Sequence, residues 1–140
     1  AISVGQYTEA DSRYLEQTLL ARRFAILKRY LSRLSPISQL ATSGDQLCGV
    51  DLARATGVVP DESLTYAARV HRGDTAADET RVQTSPGGRL CVELSHSAPD
   101  SNDNYLVAEI ANGYAEATLR AHLYDLGAGR GFRLVGIERR

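Results

Sequence analysis

Leu31-Ser-Arg-Leu-Ser-Pro36 is the stretch on which the fold turns, because the hydrophobic period of the chain changes across it. Upstream, Leu20, Phe24, Leu27, Leu31 and Leu34 step by four and three residues, the spacing of one helical stripe. Leu15, Leu19, Ile26 and Tyr30 form a second stripe beside it. Thr8-Glu-Ala-Asp11 opens this helix with a hydroxyl N-cap and a carboxylate three residues on, near the positive end of the helix dipole. Ser35-Pro36 stops it, since proline disfavours helical backbone in the residue before it. A helix is therefore predicted over residues 8–34. Its apolar face is wider than one partner surface needs. The simpler expectation places both stripes in a core beneath a sheet; the alternative packs one stripe on the sheet and pairs the other with a second helix.

Downstream the period falls to two, between Gly, Pro, Asn and Asp punctuation, which is how antiparallel strands and hairpins read. Strands are predicted at Gln46–Leu52, Leu64–His71, Thr80–Thr84, Arg89–Leu94, Asn104–Ala111, Thr118–Tyr124 and Phe132–Glu138. Ser85-Pro-Gly-Gly88 reads as a tight turn and Asn112-Gly113 as a hairpin dipeptide. Gly127-Ala-Gly-Arg-Gly131 joins the last two strands of a C-terminal meander. Alternation assigns Leu90, Val92, Leu94, Leu119, Ala121, Leu123, Val135 and Ile137 to inner faces. It leaves Glu93, Glu109, Arg120, His122 and Arg133 on polar ones. The predicted fold class is α+β: a long N-terminal amphipathic helix packed on an antiparallel sheet, or two-sheet sandwich, of about six to seven strands. The 140 residues read as a single domain, 1–140, with the helix at 8–34 and the β region at 45–140.

A net charge of -1 argues against whole-surface attraction to nucleic acid or anionic lipid. The charges are unevenly spread. Arg13, Arg22, Arg23, Lys28, Arg29 and Arg33 stand against Glu16, whereas residues 61–79 hold Asp61, Glu62, Asp74, Asp78 and Glu79 against two arginines. A molecule with one basic and one acidic region can dock onto a partner or onto itself; the plainer reading is two solvated surfaces. No apolar run approaches the ~18 residues of a membrane span. An alanine start fits either loss of an initiator methionine or removal of a leader, so the compartment is unassigned. Cys48 and Cys91 sit inside strand-like runs and allow one disulfide; the alternative is a pair of buried thiols.

Chemistry-bearing motifs are sparse. Asp100-Ser-Asn-Asp-Asn104 opens like an oxygen-rich calcium loop, which Asp125 would have to complete, but Tyr105 stands where such a loop needs glycine. It reads more simply as a solvated turn, and no metal or cofactor is assigned. His122 alternates with Arg120 and Tyr124, and Glu109 or Glu93 on a neighbouring strand would give it an acid/base partner. His122, Glu109, Arg120 and Tyr124 are therefore the candidate ligand-binding residues, with no catalytic residue named. Val50–Val58 has the cadence of the second helix of a helix-turn-helix, with a third helix expected near Glu62–Arg69 and a wing at Arg81–Leu94, a winged-helix arrangement. Pro60-Asp-Glu62 places acids where a recognition helix meets phosphate, which counts against it.

Three functional classes follow. The first is a non-catalytic binding or assembly module, acting through its cationic helix and polar sheet face on a protein partner or on a second copy. The second is a small cavity enzyme or ligand carrier whose helix closes over a curved sheet. The third is a winged-helix DNA-binding domain. The first is favoured, and no specific nucleic-acid partner is expected.

Overall fold

The computed structural model describes residues 7–73, 76–98 and 103–140. Helix α1 spans Glu9–Leu31, and Thr8 caps it by accepting the Asp11 N–H, as the sequence implied. It ends three residues before Leu34, and Arg33 and Leu34 N–H groups close the last turn on the Tyr30 carbonyl. The β region begins at Ile37 rather than residue 45, because β1 (Ile37–Ser43) precedes β2 (Gln46–Asp51). Next come a single helical turn, α2 (Leu52–Ala55), and the strands β3 (Ala67–Arg72), β4 (Asp78–Thr80) and β5 (Val82–Ser85). The chain closes with β6 (Arg89–Glu93), β7 (Tyr105–Ala111), β8 (Leu119–Asp125) and β9 (Phe132–Arg139).

The strands form two antiparallel sheets, ordered β1-β2-β6-β5 and β4-β3-β7-β8-β9. β4 and β5 are one run that changes sheet at Arg81. At the opposite side, the Arg139 guanidinium on β9 donates to the carbonyls of Ser35 and Ile37 at the start of β1. The sandwich is thus tied along both flanks. Its interior is made by alternate residues of the strands: Leu47, Leu90, Val92, Leu94, Leu106, Ala108, Ile110, Leu119, Ala121 and Leu123 are all buried. Cys48 and Cys91 lie directly opposite each other on β2 and β6 and are joined by a disulfide.

Three sequence expectations change here. Val135 and Ile137 are half exposed, not core. The β8–β9 register slips between His122 and Leu123, making Val135 the extra residue of a bulge; Ile137 still pairs with Ala121, but on an edge strand. Asn112-Gly113 is not a two-residue hairpin, because β7 and β8 are joined through residues 112–118 and Asn112 is buried. Residues 62–69 contain a 3-10 turn (Asp61–Ser63) and the start of β3. The recognition helix of a winged-helix arrangement is therefore not formed.

α1 contains no buried residue, so neither apolar stripe is core. Its contact with the sandwich runs through Leu27 and Leu31, which are partly buried against Ala53, Val58 and Val59, a cluster that Leu64 and Tyr114 also cover. That small cluster is held by a buried carboxylate. Asp51 caps α2 by accepting the Ala53 and Arg54 N–H groups at 2.8 and 3.2 Å. Its other oxygen accepts from Asn112 Nδ2 at 2.9 Å and the Tyr66 hydroxyl at 3.0 Å. Asn112 in turn accepts the N–H groups of Tyr114 and Ala115. Burial and the Asp51 carboxylate together push the Tyr66 hydroxyl above the usual phenol range. Gly88 (φ 79°) completes the packing, since a Cβ there would meet the Asp51 carbonyl oxygen.

Candidate docking surface

The four residues singled out by alternation lie on the outer face of the five-stranded sheet. The register places Glu79, Arg69, Glu109, Arg120 and Glu138 in one row across five strands, alternating in sign. Glu109 is ion-paired with Arg120, Arg69 lies 3.5 Å from Glu79, and Arg140 lies 2.9 Å from Glu138. The next row holds His71, Val107, His122 and Gly136. His71 Nε2 stands 3.3 Å from Glu109, whereas His122 is 3.7 Å from Glu138 and 2.5 Å from the Tyr105 hydroxyl. Tyr124 is tilted against Tyr105. Glu109 therefore serves His71 and Arg120 rather than His122, and Glu93 is on the other sheet altogether.

This arrangement is poor for proton transfer. Burial pushes the Glu109 carboxyl up, but the Arg120 guanidinium and the nearby His71 ring outweigh it and hold the group below its ordinary value. A carboxylate held down in this way is a weak base near neutral pH. The face is also charge-compensated strand by strand, which stabilises the sheet and leaves little net charge to attract a ligand.

A second polar cluster, which the sequence reading missed, closes one end of the sandwich. His96, in the segment after β6, places Nδ1 2.6 Å from Asp125 and Nε2 2.9 Å from Asp45, with its ring stacked on Phe132. Asp125, its side chain only 1% exposed, also accepts the N–H groups of Ser97 and Gly127 and lies 3.4 Å from Arg72. Burial raises the Asp125 carboxyl, but these donors dominate and bring it down to about 2. The Asp125 hydrogen bond is also the main reason that His96 is raised from its ordinary value. Clefts of about 420 and 380 Å³ flank the cluster, both bordered by Arg130. Both His96 nitrogens are engaged by carboxylates, so the imidazole acts as a clamp between the β1–β2 turn and the end of β8. Sequence offered no signal for this pairing, because 29 residues separate His96 from Asp125 and 51 separate it from Asp45.

The calcium-loop expectation falls mostly on residues 99–102, outside the described residues. Asp125, which would have to complete it, is committed to His96, Ser97 and Gly127. Among the described residues, no group of three His, Cys, Asp or Glu side chains is placed to hold a metal. No described helix is long and apolar enough to cross a membrane.

The feature without an internal explanation is α1. Leu19, Leu20, Phe24, Ile26 and Tyr30 are each between 47% and 58% exposed, and Tyr14 is more exposed still. Leu20, Phe24 and Leu27 line a groove of about 210 Å³ with Arg23, Thr56 and Val58. The body's arginines are mostly engaged: Arg54 is bidentate to Asp61, Arg120 holds Glu109, and Arg139 holds two carbonyls. No ion pair is made by Arg22, Arg23, Lys28, Arg29 or Arg33 among the described residues. Two sheets in a sandwich carrying one protruding helix define the class of fold. No family model, curated protein or solved structure matches the chain.

Proposed function

We propose that this protein is a non-catalytic binding and assembly module whose working surface is the apolar, cationic face of α1. One observation carries the reading: a 23-residue helix that fully buries none of its residues in its own domain, touching it through Leu27 and Leu31, yet holds out large apolar side chains along its length. Exposed apolar surface of this extent, rimmed by polar groups, is characteristic of a docking site. The free arginines beside it add reach and selectivity for an acidic partner surface. An isolated helix of this length is only marginally stable in water, so docking would also stabilise the helix itself.

The test is the double variant Leu19→Glu/Ile26→Glu, compared with the parent by sedimentation and by thermal unfolding. The expected result is loss of association with the thermal midpoint unchanged within a few degrees. A large fall in the midpoint would make these residues part of the folding core and overturn the reading.

A further inference from the structure

The charge map indicates what covers the helix. Residues 9–34 carry six basic and three acidic side chains, a net of +3. The remaining chain carries ten basic and fourteen acidic ones, a net of -4. The sequence is therefore divided between a net-positive helix and a net-negative remainder with almost no net charge overall, a combination that permits self-association without overall repulsion. Helix against helix would set one net-positive surface against another, with Arg22 and Arg23 near the middle of both. The better complement lies on the body. Asp78, Glu79 and Glu93 border a cleft of about 110 Å³ at the β4–β6 flank, with Val70, Thr80 and Ser95 beside them and one cation, Arg72, which is turned inward to Asp125. Glu79 is met by Arg69, while Asp78 has no ion-pair partner among the described residues.

We propose that the occupant of the α1 face is a second copy of this chain, docked head to tail, with the helix of one molecule against the acidic β4–β6 flank of the next. The inference rests on the helix-docking reading above and names its partner. Because two different patches meet, the contact is heterologous. Each copy keeps one free helix and one free flank, so association is open-ended unless the geometry closes a ring. The apolar side chains of α1 supply the contact area, and the arginines set its direction and its sensitivity to salt.

The experiment uses the full chain and two charge-reversed forms, Arg22→Glu/Arg29→Glu and Asp78→Lys/Glu93→Lys. Weight-average mass is followed by sedimentation equilibrium as concentration rises. It is measured at about 0.01 M and at about 1 M NaCl, where the Debye length shrinks from ~30 to ~3 Å. The parent is expected to exceed two copies at low salt and to fall toward one copy at high salt. Each variant alone is expected to stay single, and an equimolar mixture of the two to associate again, since each then offers what the other lacks. A salt-insensitive dimer that ignores the flank reversal would overturn the head-to-tail arrangement in favour of helix pairing. A single copy under every condition would also overturn it. The helix-docking reading survives either result while Leu19→Glu/Ile26→Glu folds as stably as the parent, and falls with it if that variant is destabilised.

Discussion

Replacing Asp51 by alanine removes the carboxylate that joins α2, β2, Tyr66 and the β7–β8 connection, and its cost can be worked from the contacts. Two N–H groups lose their cap, which is worth about 1 kcal/mol. The buried Asn112 amide and the partly buried Tyr66 hydroxyl lose their acceptor. An unsatisfied buried donor costs ~1–3 kcal/mol. The expected destabilisation is about 4 kcal/mol, or roughly 10–15 °C in thermal midpoint for a domain of this size. Thermal unfolding followed by circular dichroism, with urea titration to check an unchanged slope, measures it. Asn112→Ala should be less costly alone, and the double variant should lose clearly less than the two singles combined, because both remove one contact. Arg54→Ala is the control: its bidentate partner Asp61 is 65% exposed, and surface pairs contribute ~0–1 kcal/mol. An Asp51→Ala midpoint within about 3 °C of the parent, against the larger shift derived above, would refute the claim that this network holds the base of the helix.

The His96 clamp makes stability depend on pH from both sides. The raised His96 value means its contribution is complete below the ordinary histidine range and is lost as pH rises through the folded value. Asp125, depressed to about 2, contributes above the ordinary carboxylate range and loses that contribution as pH falls toward about 2. Thermal midpoints should therefore be highest between about pH 4 and 6.5, with the alkaline limb flattened in His96→Gln; an identical profile in that variant would remove the clamp. Arg139→Ala should cost ~1–2 kcal/mol by freeing the carbonyls of Ser35 and Ile37, and an unchanged urea midpoint would show that β9 does not fasten the flank. Breaking the disulfide with reductant, or as Cys48→Ser/Cys91→Ser, should lower stability by up to ~4 kcal/mol for a loop of this length. Titration finding two free thiols in the denatured, unreduced protein would exclude the bridge.

The legible parts of this chain were those whose partners are close in sequence or whose pattern is repeated. β7 and β8 alternate cleanly, Leu106-Ala108-Ile110 against Leu119-Ala121-Leu123, and each was found nearly to the residue. Thr8 and Asp11 marked the start of α1 because capping is local chemistry. β1 was missed because Ile37-Ser-Gln-Leu-Ala-Thr-Ser43 carries a bulge between Ser38 and Ala41, with Gln39 at φ 53°, which breaks the period of two. The phase of β9 failed at Val135 for the same reason. Helical periodicity located α1 but said nothing of what it faces, since an apolar stripe reads alike against its own sheet and against another molecule. The site residues were placed on the correct face, Glu109 beside Arg120 as adjacent strands require. The partners of His122 were not legible, because Glu138 on β9 and Tyr105 on β7 reach it diagonally rather than from the directly opposite positions, which are Gly136 and Val107. The Asp51–Asn112 and His96–Asp125 contacts depend on how loops close, and no local pattern encodes that.

Amide hydrogen exchange along α1 tests the central claim most directly. If the helix face is a docking surface rather than core, amides of residues 12–24 should exchange far faster in dilute protein than those of β7 and β8. Their protection should then rise with protein concentration as the face is covered. Protection of α1 equal to that of the β7–β8 core, and unchanged on dilution, would mean that the helix is held by its own domain and would contradict the account.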